Sequence, residues 1–133
     1  MKNKSKLKKI KEKKHENGCP KEWLYLNPAE VSPREVAGVF DGGNGMTAQL
    51  WEEAGVVEVE LPEAKSVDLE WLALPAGEEE FDAYLQKQQI KSVFLVTLVP
   101  EDYEKAKLAM NRIVGSLGGY FCGDNEDFSP VVK

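Results

Sequence analysis

The sequence predicts an α+β domain: an antiparallel or mixed β-sheet with two helices packed on one face, a ferredoxin-like or related sandwich. Three observations carry that expectation. Val57, Val59 and Leu61 alternate with Glu58 and Glu60, the period-2 pattern of a strand with one wet face. Tyr103, Ala106, Met110, Ile113, Val114 and Leu117 fall within about 100° of helix circumference, the width of a core-facing apolar stripe. Between Val93 and Cys122 the order is strand, helix, strand with few linking residues. Its two strands are therefore expected to be parallel neighbours, or separated by one inserted strand, and joined right-handedly.

Along the chain, residues 1–20 read as a disordered basic tail and 21–133 as a single α+β domain. After the start methionine, Leu7 and Ile10 are the only sizeable apolar residues before Asn17, too little surface to order a segment. Asn17-Gly18 and Cys19-Pro20 punctuate the chain, and the folded part is expected to begin near Trp23. Val36 to Phe40 and Met46 to Trp51 flank Asp41-Gly42-Gly43-Asn44-Gly45, whose residues tolerate positive φ, so a β-hairpin is the simplest reading. Gly55 marks another turn, and Pro62 ends the strand that starts at Val57.

Val67 to Leu74 alternates as a strand through Val67, Leu69, Trp71 and Ala73, although Leu69 and Leu72 also fit one helical turn. Phe81, Tyr84 and Leu85 share a helix face within residues 78–89, and Glu78, Glu79 and Glu80 sit where the helix dipole favours negative charge. Val93 to Val99 is apolar apart from Thr97 and rich in β-branched residues, which suits a central strand covered on both faces. Pro100 fits a first helical position, Glu101 and Asp102 supply first-turn acids, and Gly118-Gly119 terminates the last helix. Tyr120 to Cys122 is a short final strand, and a polar loop opens at Gly123.

With 133 residues, 42% hydrophobic and 30% charged, the chain can bury one core and offset its ordering entropy. Cys19 and Cys122 form no CxxC pair and no disulfide framework, so reduced thiols are expected. No signal-peptide h-region and no membrane-length apolar run are legible, and a cytoplasmic protein is the expectation. The net charge of −6 divides unevenly. Residues 1–16 hold eight Lys against Glu12 and Glu16, whereas the other 117 residues hold nine basic and twenty-one acidic side chains. A tail of +6 is joined to a body of −12, and the two have different partners, or each other.

Several chemistries find no support in these residues. Gly43-Asn44-Gly45-Met46-Thr47-Ala48 matches the loose dinucleotide fingerprint, but only Thr47 to Ala54 remain for the crossover helix such a unit needs, and no Walker lysine follows. His15, the one histidine, lies among tail lysines, so no histidine triad or zinc hydrolase site can be assembled in the body. Cys122 has acidic sequence neighbours and reads as an inert packed thiol. No catalytic residue, cofactor or metal ligand is assigned.

What remains is surface. Asp124, Asn125, Glu126 and Asp127 form the candidate partner-binding site, a docking point for a basic protein; their spacing does not make a calcium loop. Lys6, Lys8, Lys9, Lys11, Lys13 and Lys14 are the alternative, nucleic-acid-binding set. With no Arg and no aromatic beside them, only non-specific phosphate contact is implied. Membrane attachment takes two signals, and no lipidation motif accompanies the lysines. Leu108 projects opposite the apolar stripe of the last helix, and Gly118-Gly119-Tyr120-Phe121-Cys122-Gly123-Asp124 stands out as specific with no chemistry attached.

The expected function is a non-enzymatic protein-interaction or regulatory module, of inhibitor or immunity type, with an acidic body that caps a basic partner. A second expectation is a nucleic-acid- or ribosome-associated protein tethered by the Lys-rich tail. A third is an enzyme or small-ligand sensor using acidic and tyrosine side chains in a cleft between sheet and helix.

Overall fold

Six consecutive residues, Glu22–Asn27, form strand β1, and all but Glu22 are buried. Trp23 and Tyr25 point to one face of the sheet while Leu24 and Leu26 point to the other, so this run needs cover on both sides. It obtains it by lying inside the sheet. A computed structural model describes residues 19–42 and 45–133. It places the strands in the order β2-β3-β4-β5-β1-β6-β7, with every neighbouring pair antiparallel.

The elements in chain order are β1, α1 (Pro33–Gly38), β2 (Thr47–Trp51), β3 (Val56–Glu60), β4 (Val67–Leu72), α2 (Glu79–Lys87), β5 (Ser92–Thr97), α3 (Tyr103–Leu117), β6 (Tyr120–Gly123) and β7 (Val131–Val132). A short 3-10 turn, Pro100–Asp102, leads into α3. β5 and β6 both run antiparallel to β1, so they are parallel to each other with β1 inserted between them, one of the two arrangements the sequence allows. The class is α+β.

The helices do not gather on one face. Val36 of α1 and Ala106, Ala109, Met110 and Ile113 of α3 join Trp23, Tyr25, Val57, Leu69, Phe94, Val96 and Phe121 in one core layer. Phe81 and Leu85 of α2 join Leu24, Leu26, Leu72, Val93, Leu95 and Cys122 in a second layer on the opposite face. The expectation of two helices on one face is corrected by the central strands themselves. β1 and β5 are apolar at consecutive positions, and consecutive positions point to opposite faces.

Val36 to Phe40 is not the first arm of a hairpin. Ser32 Oγ accepts from the Glu35 backbone N–H at 3.2 Å, Glu35 Oε1 accepts from the Ser32 N–H at 2.9 Å, and Pro33 takes the first helical position. That reciprocal capping box starts a helix where valine and phenylalanine suggest a strand. The hairpin is instead β2–β3, turning through residues 52–55 with Gly55 at φ +67°. Gly43 and Asn44, like residues 1–18 of the expected tail at 1–20, lie outside the described residues. Thr47 and Ala48 begin a strand, so no helix follows the glycines of the dinucleotide-like pattern.

Two buried polar side chains hold the chain around β1. Asn27 Nδ2 donates to the Leu117 carbonyl at 3.0 Å and to the Tyr25 hydroxyl at 2.9 Å, and the Tyr25 hydroxyl donates to the Gly118 carbonyl at 2.6 Å. Ser92 Oγ accepts from the Val31 N–H and donates to the Ala29 carbonyl, both at 2.7 Å. The end of α3 is thus bonded to β1, and the chain can turn only if nothing fills the gap. At Gly119, with φ +76°, an added Cβ would sit 2.5 Å from the Leu26 carbonyl oxygen. At Gly123 it would sit 2.2 Å from that of Ser129. The distinctive closing segment is therefore a fold requirement.

Gly119→Ala is expected to lower unfolding free energy by about 2 kcal/mol, from left-handed strain and the clash with backbone. Gly115→Ala, at a helical site with open space around the new Cβ, is expected to raise it by about 0.5–1 kcal/mol. Denaturant unfolding of both variants checks the pair.

Candidate interaction surface

Strand alternation sorts the side chains of β2, β3 and β4 by face. Ala48 and Leu50 of β2, Val57 and Val59 of β3, and Val67 and Leu69 of β4 pack on the layer that α1 and α3 share. The alternate set points the other way: Thr47, Gln49 and Trp51, then Val56, Glu58 and Glu60, then Asp68 and Glu70. α2 packs farther along the sheet, over β5, β1 and Leu72, and no described helix lies on this half of the face.

Register aligns these side chains into transverse rows. Gln49 faces Glu58, Glu58 faces Asp68, Asp68 faces Thr97, and Thr97 faces Glu22. The row extends one strand further, because the Asp124 N–H donates to the Glu22 carbonyl at 3.0 Å, immediately beyond the Trp23–Gly123 pair. A second row runs Trp51, Val56, Glu70, Leu95. Glu60 pairs with Thr47, whose hydroxyl donates to Glu60 Oε1 at 3.3 Å. Over residues 47–72 the sequence holds seven carboxylates against one basic residue, Lys65.

Glu58 and Asp68, directly opposite, are like charges in a register that disfavours them. Ser66 Oγ donates to Asp68 Oδ1 at 2.9 Å, which satisfies part of one carboxylate and leaves the sign of the surface unchanged. Among the described residues no three His, Cys, Asp or Glu side chains converge to hold a metal ion. The arrangement is a spread sheet surface, about 4.8 Å between strands, suited to many separated cationic groups. Trp51, 51% exposed at the edge of the second row, adds an aromatic face on which a Lys or Arg can stack.

The loop picked out from sequence adjoins this surface without forming one site. Asp124 is buried at the end of the first row. Asn125 closes the loop: its Nδ2 donates to the Ser129 carbonyl at 2.7 Å, and its Oδ1 accepts from the N–H groups of Asp127 and Ser129 at 3.1 and 3.2 Å. Glu126 and Asp127 are the two that face solvent. Lys6, Lys8, Lys9, Lys11, Lys13 and Lys14 lie outside the described residues. Reading the strand partners needs register, and register is not written in local sequence. The signal that was available is the Glu58, Glu60, Asp68, Glu70 alternation itself.

Burial raises the pKa of both cysteine thiols and of Tyr120. Burial, and then the Asp124 carboxylate, pushes the Cys122 thiol up to about 12. Cys19 is also raised, by burial and then by Glu101. Burial, and then the Tyr84 hydroxyl 3.2 Å away, raises Tyr120. A concavity of about 510 Å³ is lined by Pro28, Gln89, Ile90 and Lys91, none of them an acid or a tyrosine. Leu108 is 57% exposed. No described helix is long and apolar enough to cross a membrane. Comparison with protein-family models, with curated proteins and with solved structures gave no match to this chain.

Two outcomes follow from this geometry. Glu58→Gln is expected to raise stability by about 0.2–1 kcal/mol by removing the like-charge pair with Asp68, a gain that shrinks in about 1 M salt; thermal unfolding at two salt concentrations reads it. Cys122 is expected to resist thiol reagents at pH 8 until the protein unfolds. Its folded value of about 12 lies above its ordinary 9.0, so its contribution to stability is complete below pH 9 and declines as the unfolded thiol ionises above it. Cys122→Ala is expected to flatten that alkaline decline in pH-dependent denaturation.

Proposed function

We propose that this protein is a non-enzymatic interaction module that caps a basic protein partner, in the manner of a small inhibitor or immunity protein. The observation that carries the reading is the open half of the sheet. Glu58, Glu60, Asp68 and Glu70 stand on it and no described helix covers them, while Glu22 continues the first row onto β1. Carboxylates on adjacent strands repel one another, a standing cost that a Lys- or Arg-rich surface removes on binding. Exposed Trp51 beside Val56 supplies the aromatic anchor around which such interfaces concentrate their energy. Glu126 and Asp127 extend the negative surface past the end of the row. Burial of Cys122, which also pushes its thiol pKa up, favours this reading over an enzyme that uses this thiol as its nucleophile.

The test is capture of partners from native cells, with nuclease treatment, on the intact chain and on a Glu58→Gln, Glu60→Gln, Glu70→Gln variant whose fold is verified by its unfolding curve. A basic protein retained by the first, and about tenfold weaker on the second, is expected, a difference of about 1.4 kcal/mol. A partner held equally by both overturns the reading. Nuclease-sensitive ribosomal proteins lost with the tail lysines would replace it with the tethered nucleic-acid reading.

A further inference from the structure

We infer that in the free protein the acidic half-sheet is occupied by this chain's own Lys-rich N-terminal segment, residues 1–18, which a basic partner must displace. The inference rests on the interaction surface proposed above and names what covers it. Charge complementarity supports it. The segment carries eight Lys and a net +6, whereas residues 47–72 carry seven carboxylates and one Lys. Attachment supports it as well: the described chain starts at Cys19, three residues before Glu22, and Glu22 is itself a member of the first row.

Reach is sufficient. Cys19 packs with the layer on the other face, so the segment must first round the end of the sheet, a thickness of about 10 Å. From Glu22 to Gln49 the row crosses four interstrand steps, about 19 Å. Eighteen residues can span at most about 60 Å, roughly twice the length of that path. Tethered over that distance, the segment faces the carboxylates at an effective concentration of about 1 mM, so even weak cationic contacts are populated. Leu7 and Ile10, its apolar residues, can lie on Trp51 and Val56, the apolar members of the second row.

Occupation in cis has a functional consequence. It offsets part of the repulsion between Glu58 and Asp68 while no partner is bound, and it sets a threshold: only a cationic surface that outcompetes a tethered rival gains the face. The body is then screened from weak, non-specific cations without losing its charge.

Paramagnetic broadening tests this in the full chain. A nitroxide is placed on Ser5→Cys in a Cys19→Ser background, with Cys122 left buried and unlabelled. In about 0.01 M salt, where the screening length is about 30 Å, the amide signals of Gln49, Glu58, Asp68 and Thr97 are expected to be lost, and those around Leu108 retained. In about 1 M salt, or with Glu58→Gln, Glu60→Gln and Glu70→Gln added, the lost signals return. Equal broadening on both faces, or none, overturns the inference. So does broadening seen only when spin-labelled chain is mixed with isotope-labelled chain, which would make a second copy the occupant.

A second measurement separates this proposal from the one it rests on. A fluorescent dodecalysine peptide is titrated into the intact chain and into a full-length variant with the eight tail lysines changed to Gln. About tenfold tighter binding to the variant, lost when the face is also neutralised, supports both proposals. Equal, face-dependent binding to the two chains overturns the tail inference and leaves the surface standing. Binding that ignores the face removes the surface, and the inference with it.

Discussion

The first strand of the domain lies in the middle of the sheet, and the rest of the structure depends on that insertion. β1 pairs with β5 along its whole length and with β6 over four residues, although β5 and β6 are distant from it in sequence. Its apolar side chains on both faces are the surface against which α1 and α3 on one side, and α2 on the other, find their cores. Asn27 and Tyr25 then bond the end of α3 to the same strand. Until β5 and β6 arrive, β1 has only water for its hydrogen bonds. The sheet is therefore a non-local assembly, the kind whose loop-closure entropy must be met before its contacts form.

Central placement of β1 also sets where cover runs out. α2 has nine residues and lies over the middle of its face, where Leu24, Leu26, Val93 and Leu95 require it. β2 and β3, at one end of the sheet, extend beyond it. Their inner face closes on α1 through Val57 and Val59, and their outer face carries Gln49, Glu58 and Glu60 instead of a second apolar set. An open sheet surface next to an uncharged edge strand such as Thr47–Trp51 invites pairing with other chains. Carboxylates on the adjacent strands oppose association between copies, and in the proposed function the same charges select a cationic partner.

The closing segment shows how a distinctive sequence can be wholly structural. Gly119 lets the chain pass the β1 carbonyl of Leu26, Gly123 makes room for the backbone of Ser129, and Asn125 holds the loop between them and β7. Phe128, at φ +50°, stacks on Tyr84 at 4.4 Å and ties that loop to α2. Asp124, the innermost of the acids in this loop, is buried, and its backbone N–H bonds the Glu22 carbonyl, while Glu126 and Asp127 stay at the surface. Four residues of similar composition therefore have three different physical situations.

By itself the sequence determined the elements whose periodicity is local. The Val57–Leu61 alternation, the stripe of α3, the face of α2 and the buried run of β5 were all legible, because a strand or helix with one apolar side writes its period into consecutive residues. The capping box at Ser32 and Glu35 emerged only with the structure, where it starts a helix although β-branched residues follow it. Tertiary structure alone decided that Trp23–Leu26 is a central strand, that the helices divide between two faces, and that Glu58, Asp68, Glu22 and Asp124 share one row. Those facts are matters of which strand lies beside which and in what register. Pairing joins residues far apart along the chain, so no window of neighbouring side chains encodes it.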